Sequence, residues 1–275
     1  MTKKRKRRPN RGARRGWLIS PKQISVWLSQ AEQQLVNKDF RRVKITCRRI
    51  LKYVPPDSTA YGDAQSYLGI ACAMSQDYDC AYAAFTAALA IFPERSDLWY
   101  NRGVASRFTM RMGQAVRDLE RAIALETNSK VLADYQEELQ VSWDMARQEM
   151  AFRGPDFTLD ELIAQQELFQ QGLQKIAEQE WAAAEDIFRQ VIALGDVHPQ
   201  PWGNLAGSLI MQARFDEAET ALRRALKMDP DYDPARQNLA ILPRLRKSGA
   251  PRHFSIRSPF EGHKVSASMK FWEED

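Results

Sequence analysis

Histidine and cysteine are scarce here, with three of each in 275 residues. Four cysteines are the fewest that could frame a disulfide miniprotein, and the chain falls short of that. No Cys-x2-Cys, His-Glu-x2-His, phosphate-loop, G-x-G-x-x-G or G-x-S-x-G string occurs. His198, His253 and His263 stand far apart, and the acid runs Glu137-Glu138 and Glu273-Glu274-Asp275 suit a polar face and a terminus. The reading is therefore no enzyme, no cofactor and no metal. Long apolar runs are missing too. The longest, Ala81 to Phe92, is broken by Thr86 and stopped by Pro93. It reads as a helix buried on more than one side and is too short to cross a bilayer. Nor does an apolar stretch of the kind an export signal needs follow the opening charges. The expected location is cytoplasmic, or nuclear if the source is eukaryotic. In such a reducing setting Cys47, Cys72 and Cys80 are expected as free thiols.

Charge is present but unevenly placed. Residues 1–16 hold nine Lys or Arg and no acid: Lys3, Lys4, Arg5, Lys6, Arg7, Arg8, Arg11, Arg14 and Arg15. The other 259 residues hold 31 bases and 35 acids, so the net +5 of the chain conceals a mildly acidic body. A run of like charges repels itself and is expected to stay unfolded until it meets a polyanion. Nucleic acid, a nuclear address, anionic lipid and simple solubility are the competing readings of this tail. Before Trp17 it has no aromatic to stack on bases, so any nucleic-acid binding would be sequence-blind and salt-sensitive.

What is abundant is repetition. A step of 34 joins Gly69 to Gly103, Ala81 to Ala115, Phe85 to Leu119 and Ala88 to Ala122. The same step joins Gly172 to Ala206, Trp181 to Phe215, Ala184 to Ala218 and Phe188 to Leu222. Within each period lie two stretches with apolar residues three and four apart, separated by a short polar turn, which predicts a pair of helices. Small residues recur at one place in each helix, where antiparallel helices can approach closely. A lone pair cannot bury its apolar face, so neighbouring pairs must stack.

These residues resemble the tetratricopeptide repeat, with its W-x2-L-G-x2-Y, A-x3-F and P pattern over 34 residues. Residues 199–232 match best, through Trp202, Leu205, Ala206, Leu209, Ala218, Leu222, Ala225 and Pro230. Residues 62–95 and 96–129 follow, residues 165–198 keep Gly172, Ala184 and Phe188, and residues 24–57 are a weaker copy. The step from that copy to the next is 38, which places four extra residues near Asp57-Ser58-Thr59-Ala60. The resemblance implies an all-α solenoid. The expected organisation is a basic tail (1–16), a first array (17–152) closed by a long helix (130–152), and a Gly-Pro hinge (153–158). A second array (159–247) with a capping helix follows, its pattern broken by Pro243, Gly249 and Pro251, and then an extended or disordered aromatic tail (248–275).

The resemblance also implies protein recognition along the first helix of each unit. The candidate lining is Tyr67 and Ile70, then Tyr100, Asn101, Val104, Arg107 and Phe108, and in the second array Asn204, Gln237, Asn238 and Arg244. Asn101, Asn204 and Asn238 fall where the family often keeps an asparagine that bonds a peptide backbone; bonding to neighbouring helices is the other reading. One subfamily grips a chaperone's carboxylate tail with paired Lys and Asn. The matching places here carry Leu28, Glu32, Tyr67, Asp97 and Asn101, so that clamp is missing. The expected role is a non-catalytic scaffold for one or more protein partners. The alternative is a nucleic-acid- or ribosome-associated protein whose tail binds RNA or DNA while the repeats recruit a protein.

Overall fold

The computed structural model describes residues 19–250, and the basic residues of the N-terminal tail and the aromatic tail from His253 lie outside the described residues. Within that span the chain forms twelve α-helices and no strand. They are α1 (Pro21–Val36), α2 (Phe40–Ile50), α3 (Thr59–Met74), α4 (Tyr78–Leu89), α5 (Ser96–Phe108) and α6 (Met112–Leu125). After them come α7 (Ser129–Ala151), α8 (Leu159–Ala177), α9 (Trp181–Leu194), α10 (Pro199–Met211), α11 (Phe215–Met228) and α12 (Asp233–Ser248). Two compact units result. One holds residues up to Met110 together with Gln114–Ser142; the other holds Arg111–Gly113 and everything from Trp143 onward. The 23-residue α7 supplies residues to both.

The helix starts follow from local chemistry. A first turn leaves its backbone N–H groups unbonded, and a short oxygen-bearing side chain satisfies one of them. Ser20 accepts from the Gln23 amide, Ser58 from Tyr61, Asp39 from Arg42 and Asp77 from Cys80. Thr158 and Glu161 form the reciprocal capping box expected at the start of α8. Because Ser58 caps α3, Thr59 and Ala60 belong to the helix rather than to a connecting loop. The surplus residues before the second unit therefore go partly into an extra helical turn. Proline 243 is a second departure, since α12 runs through it to Ser248. Burial of Leu242 and Leu245 on the core side outweighs the hydrogen bond that proline cannot donate.

Each hairpin turns in the same way. One residue with positive φ stands at each bend: Lys38, Gln76, Met110, Gln179 and Ala213, at φ between 55° and 62°. Their spacings of 38, 34, 69 and 34 reproduce the periods of the sequence. At four of the bends the amide three places past the helix bonds back across it, for example Asp77 N–H to the Cys72 carbonyl at 2.9 Å and Arg214 N–H to the Leu209 carbonyl at 3.0 Å. This is the Schellman closure, made here without glycine.

Packing inside the hairpins sets the core. A Cβ added at Gly69 would lie 2.6 Å from the Phe85 ring, and one at Gly172 would lie 2.7 Å from the Phe188 ring. Both rings are fully buried. The first unit closes around Phe85 with Val43, Leu68, Ala81 and Leu98, and a smaller group around Trp27 and Ile50 seals its start. The second closes around Phe188 with Leu205, Leu209, Leu222 and Leu242.

The cysteines correct one expectation. Cys72 and Cys80 are not free thiols but a disulfide, with their Cα atoms 5.8 Å apart. Each stands four residues from Gln76, on opposite sides of the bend, so the antiparallel helices α3 and α4 bring them face to face. Only Cys47 is free; it is fully buried, and burial pushes its thiol up to about 12. The cysteines therefore give no support to a reducing compartment. No helix of the described residues is long and apolar enough to cross a membrane.

Two stability outcomes are expected. Gly69→Ala and Gly172→Ala should each cost about 1–3 kcal/mol in urea unfolding, because the ring must move to admit the methyl group. In oxidised protein, replacing Cys72 and Cys80 by serine should cost about 2–3 kcal/mol for a loop of this length. A thiol reductant should bring the wild type to the same stability and leave the double variant unmoved.

Candidate functional site

The first helices of the first unit pack in order, α1 on α3 and α3 on α5, and the face expected to meet a partner runs along them. On α3 that face is a stripe of Asp63, Tyr67, Ile70 and Met74, all half-buried, at alternating spacings of four and three. One period further on, Asp97 stands where Asp63 stands. Ile70 and Tyr67 rest on the core formed around Phe85. Burial pushes the Tyr67 phenol up, and the carboxylates of Glu32 on α1 and Asp63 push it further. Asp63 is raised as well, by burial first, with Arg95 opposing and Glu32 adding. Glu32, Asp63, Tyr67 and Arg95 therefore lie within reach of one another's fields. Arg95 is held by Asp97, whose carboxylate accepts from its Nε at 3.0 Å and from Nη2 at 2.5 Å.

On α5 the candidate residues are largely engaged already. Tyr100 stacks on Tyr135 of α7, ring centroids 4.3 Å apart and 12° from parallel. Burial, with Glu138, Asp134 and Glu137 nearby, pushes its phenol up to about 12. Arg107 donates from Nε to Glu138 at 2.6 Å and lies over the Phe108 ring. Phe108 stacks on Tyr78 at the start of α4, centroids 4.4 Å apart. Asn101 and Val104 are each only 5% exposed. The face thus has an open part on α3 and a part covered by α7. In the second unit Asn204 and Asn238 are half-buried, while Gln237 and Arg244 are exposed. The cationic candidates Lys3 to Arg15 lie outside the described residues.

Several polar groups that the spacing did not single out prove to be structural. In the first unit Asp118 is fully buried and takes Arg102 in a two-point pair at 2.8 and 2.6 Å, with Gln114 adding a third bond at 2.7 Å. Arg102 also lies over the Trp99 ring, 4.7 Å from its centroid. In the second unit the buried Glu185 accepts from Arg214 at 2.6 Å, from Gln212 at 2.7 Å and from Arg189. Arg214 in turn holds Glu217. The network ties α9 to the bend between α10 and α11. Near the end of α7, Glu149 meets His198 at 2.7 Å and Arg153 at 2.9 Å, and Arg153 also reaches the buried Gln165 at 2.6 Å. Among the described residues one trio, Cys72, Asp77 and Cys80, brings metal-ligating atoms together. Its two sulfurs are joined to each other, so they do not offer the thiolates a metal would need.

Residues 175–242 match the family model described as tetratricopeptide repeat. The small-against-ring packing and the 34-residue recurrence of the bends extend the same unit beyond that stretch. The second unit thus carries tetratricopeptide repeats over that stretch. No curated relative matches it. Solved structures similar to it include the MamA protein, at 15% identity and TM-score 0.36 over 76% of this chain and 93% of that one. Another is the tetratricopeptide domain of P58(IPK), at 14% identity and TM-score 0.45 over 82% of this chain and 65% of that one. A third is the TPR2AB domain of yeast Sti1 in its pHSP90 complex, at 13% identity and TM-score 0.36 over 83% and 86%.

The Glu185 network should make the second unit acid-sensitive. Burial opposes ionisation of Glu185, but Gln212, Arg214 and Arg189 hold its carboxyl below the usual 4.5. A lowered folded value means the stabilisation is complete above about pH 4.5 and is lost as pH falls through the folded value. Urea midpoints should drop on acidification below that point. Glu185→Gln should cost about 2 kcal/mol at neutral pH and flatten the acid limb.

Proposed function

We propose that this protein is a non-catalytic scaffold that holds a partner polypeptide against the shared face of α1, α3 and α5. The observation that carries the reading is the α3 stripe. Asp63, Tyr67, Ile70 and Met74 are half-buried in a row, backed by a rigid core, with a carboxylate at one end and apolar surface along the rest. An aromatic ring with a polar tip, fixed by packing, loses little entropy on binding and contributes strongly at an interface. The neighbouring acids favour a partner that brings apolar side chains together with basic ones. Tyr100 and Arg107 act indirectly in this reading, by holding α7 beside α5. Asn204 and Asn238, with Gln237 and Arg244, offer a second and more polar face in the other unit.

The test compares partner capture by the wild type with capture by Tyr67→Ala combined with Ile70→Glu. A partner recovered with the wild type should bind the variant at least about tenfold more weakly, the loss of one hot-spot side chain. Helicity by circular dichroism should be unchanged, since both positions are only half-buried. Equal capture by the folded variant would remove the α3 stripe from the reading.

A further inference from the structure

The acids of the first unit's shared face exceed its bases. Glu32 on α1, Asp63 on α3, Asp97 on α5, and Asp134, Glu137 and Glu138 on α7 all act on that face. Two guanidiniums, Arg95 and Arg107, answer them, through Asp97 and Glu138 respectively. Among the described residues Glu32, Asp63, Asp134 and Glu137 form no ion pair; Glu32, Asp134 and Glu137 are exposed, while Asp63 is half-buried and within the field of Arg95. The same chain carries the complementary charge. Its first 16 residues hold nine Lys or Arg and no acid, and in sequence only four residues separate them from α1, one of the helices bearing that face. Sixteen residues reach about 50 Å when extended. Four neighbouring first helices, about 10 Å apart, span about 30 Å. Tyr67 adds an aromatic surface of the kind guanidinium groups cover.

We propose that the basic N-terminal segment, residues 1–16, docks on the acidic shared face of α1, α3, α5 and the start of α7, within its own chain. The inference rests on the face described under the proposed function and names its resident occupant. A partner of similar chemistry must displace that segment, and a polyanion that draws the segment away uncovers the face.

Zero-length carbodiimide cross-linking of the full-length protein, freed of nucleic acid and mapped by mass spectrometry, tests this. At low salt, Lys3, Lys4 or Lys6 should join Glu32, Asp63, Asp134 or Glu137 within the monomer. The yield should fall roughly fivefold or more near 0.5 M salt, where screening shortens to a few ångströms. The variant with Glu32→Gln, Asp63→Asn and Glu137→Gln should show the same loss at Asp134. Lysine cross-links spread over carboxylates of the second unit, cross-links confined to the dimer, or yields unmoved by the variant would each overturn the docking. Partner capture plays no part in this readout, so failure of the scaffold reading and failure of the docking are told apart.

Discussion

The approach of two helices within a hairpin is the constraint from which the rest follows. Gly69 lies under Phe85 and Gly172 under Phe188, each close enough that a single methyl group would meet the ring. A bare backbone on one helix admits the largest core side chain of the other, which fills the gap at interior density. Once that contact is made, the small residues Ala81 and Ala184 fall into place, and the apolar flanks of the hairpin remain to be covered by the next one. Stacking is then a necessity for burial rather than a preference of the chain.

That necessity decides which polar groups are available for work. A first helix shows one face to its own partner and its flanks to neighbouring hairpins, so only a narrow stripe is left over. On α3 this stripe is Asp63, Tyr67, Ile70 and Met74. On α5 the equivalent stripe is partly spent on α7, through the Tyr100–Tyr135 stack and the Arg107–Glu138 pair. The buried ion pairs elsewhere follow a different logic. Asp118 and Glu185 are each surrounded by several donors because an isolated buried carboxylate would be too costly. Their multiplicity of partners marks them as positioning devices for helices and turns.

Much of this was legible in the residues. The 34-residue step and the small positions Gly69, Gly103 and Gly172 reported the hairpins because close packing tolerates so few substitutes there. The capping box at Thr158 and Glu161 was legible for a similar reason, since both groups must be oxygen-bearing and three apart. The Cys72–Cys80 bond was not, although a clue existed: the two lie at equal distances from the bend at Gln76. Periodicity places residues on faces but does not say which faces meet across a turn. Helix continuation through Pro243 escaped for the opposite reason, because tertiary burial of Leu242 and Leu245 overrode a local rule. The engagement of Tyr100 and Phe108 by other rings depends on which helices become neighbours, which composition and spacing do not encode.

The bends carry a consequence for how such a chain can change length. Each closes on one left-handed residue, Lys38, Gln76, Met110, Gln179 or Ala213, and in four of them a backbone bond spans it. Adding or removing a residue there would rotate the second helix by about 100° and turn its core face outward. The stretch between α2 and the body of α3, by contrast, holds the four surplus residues, partly as connection and partly as a longer start of α3. Insertions and deletions in relatives should therefore gather between hairpins and spare the bends, so the molecule keeps strict count within a unit and is lax between units.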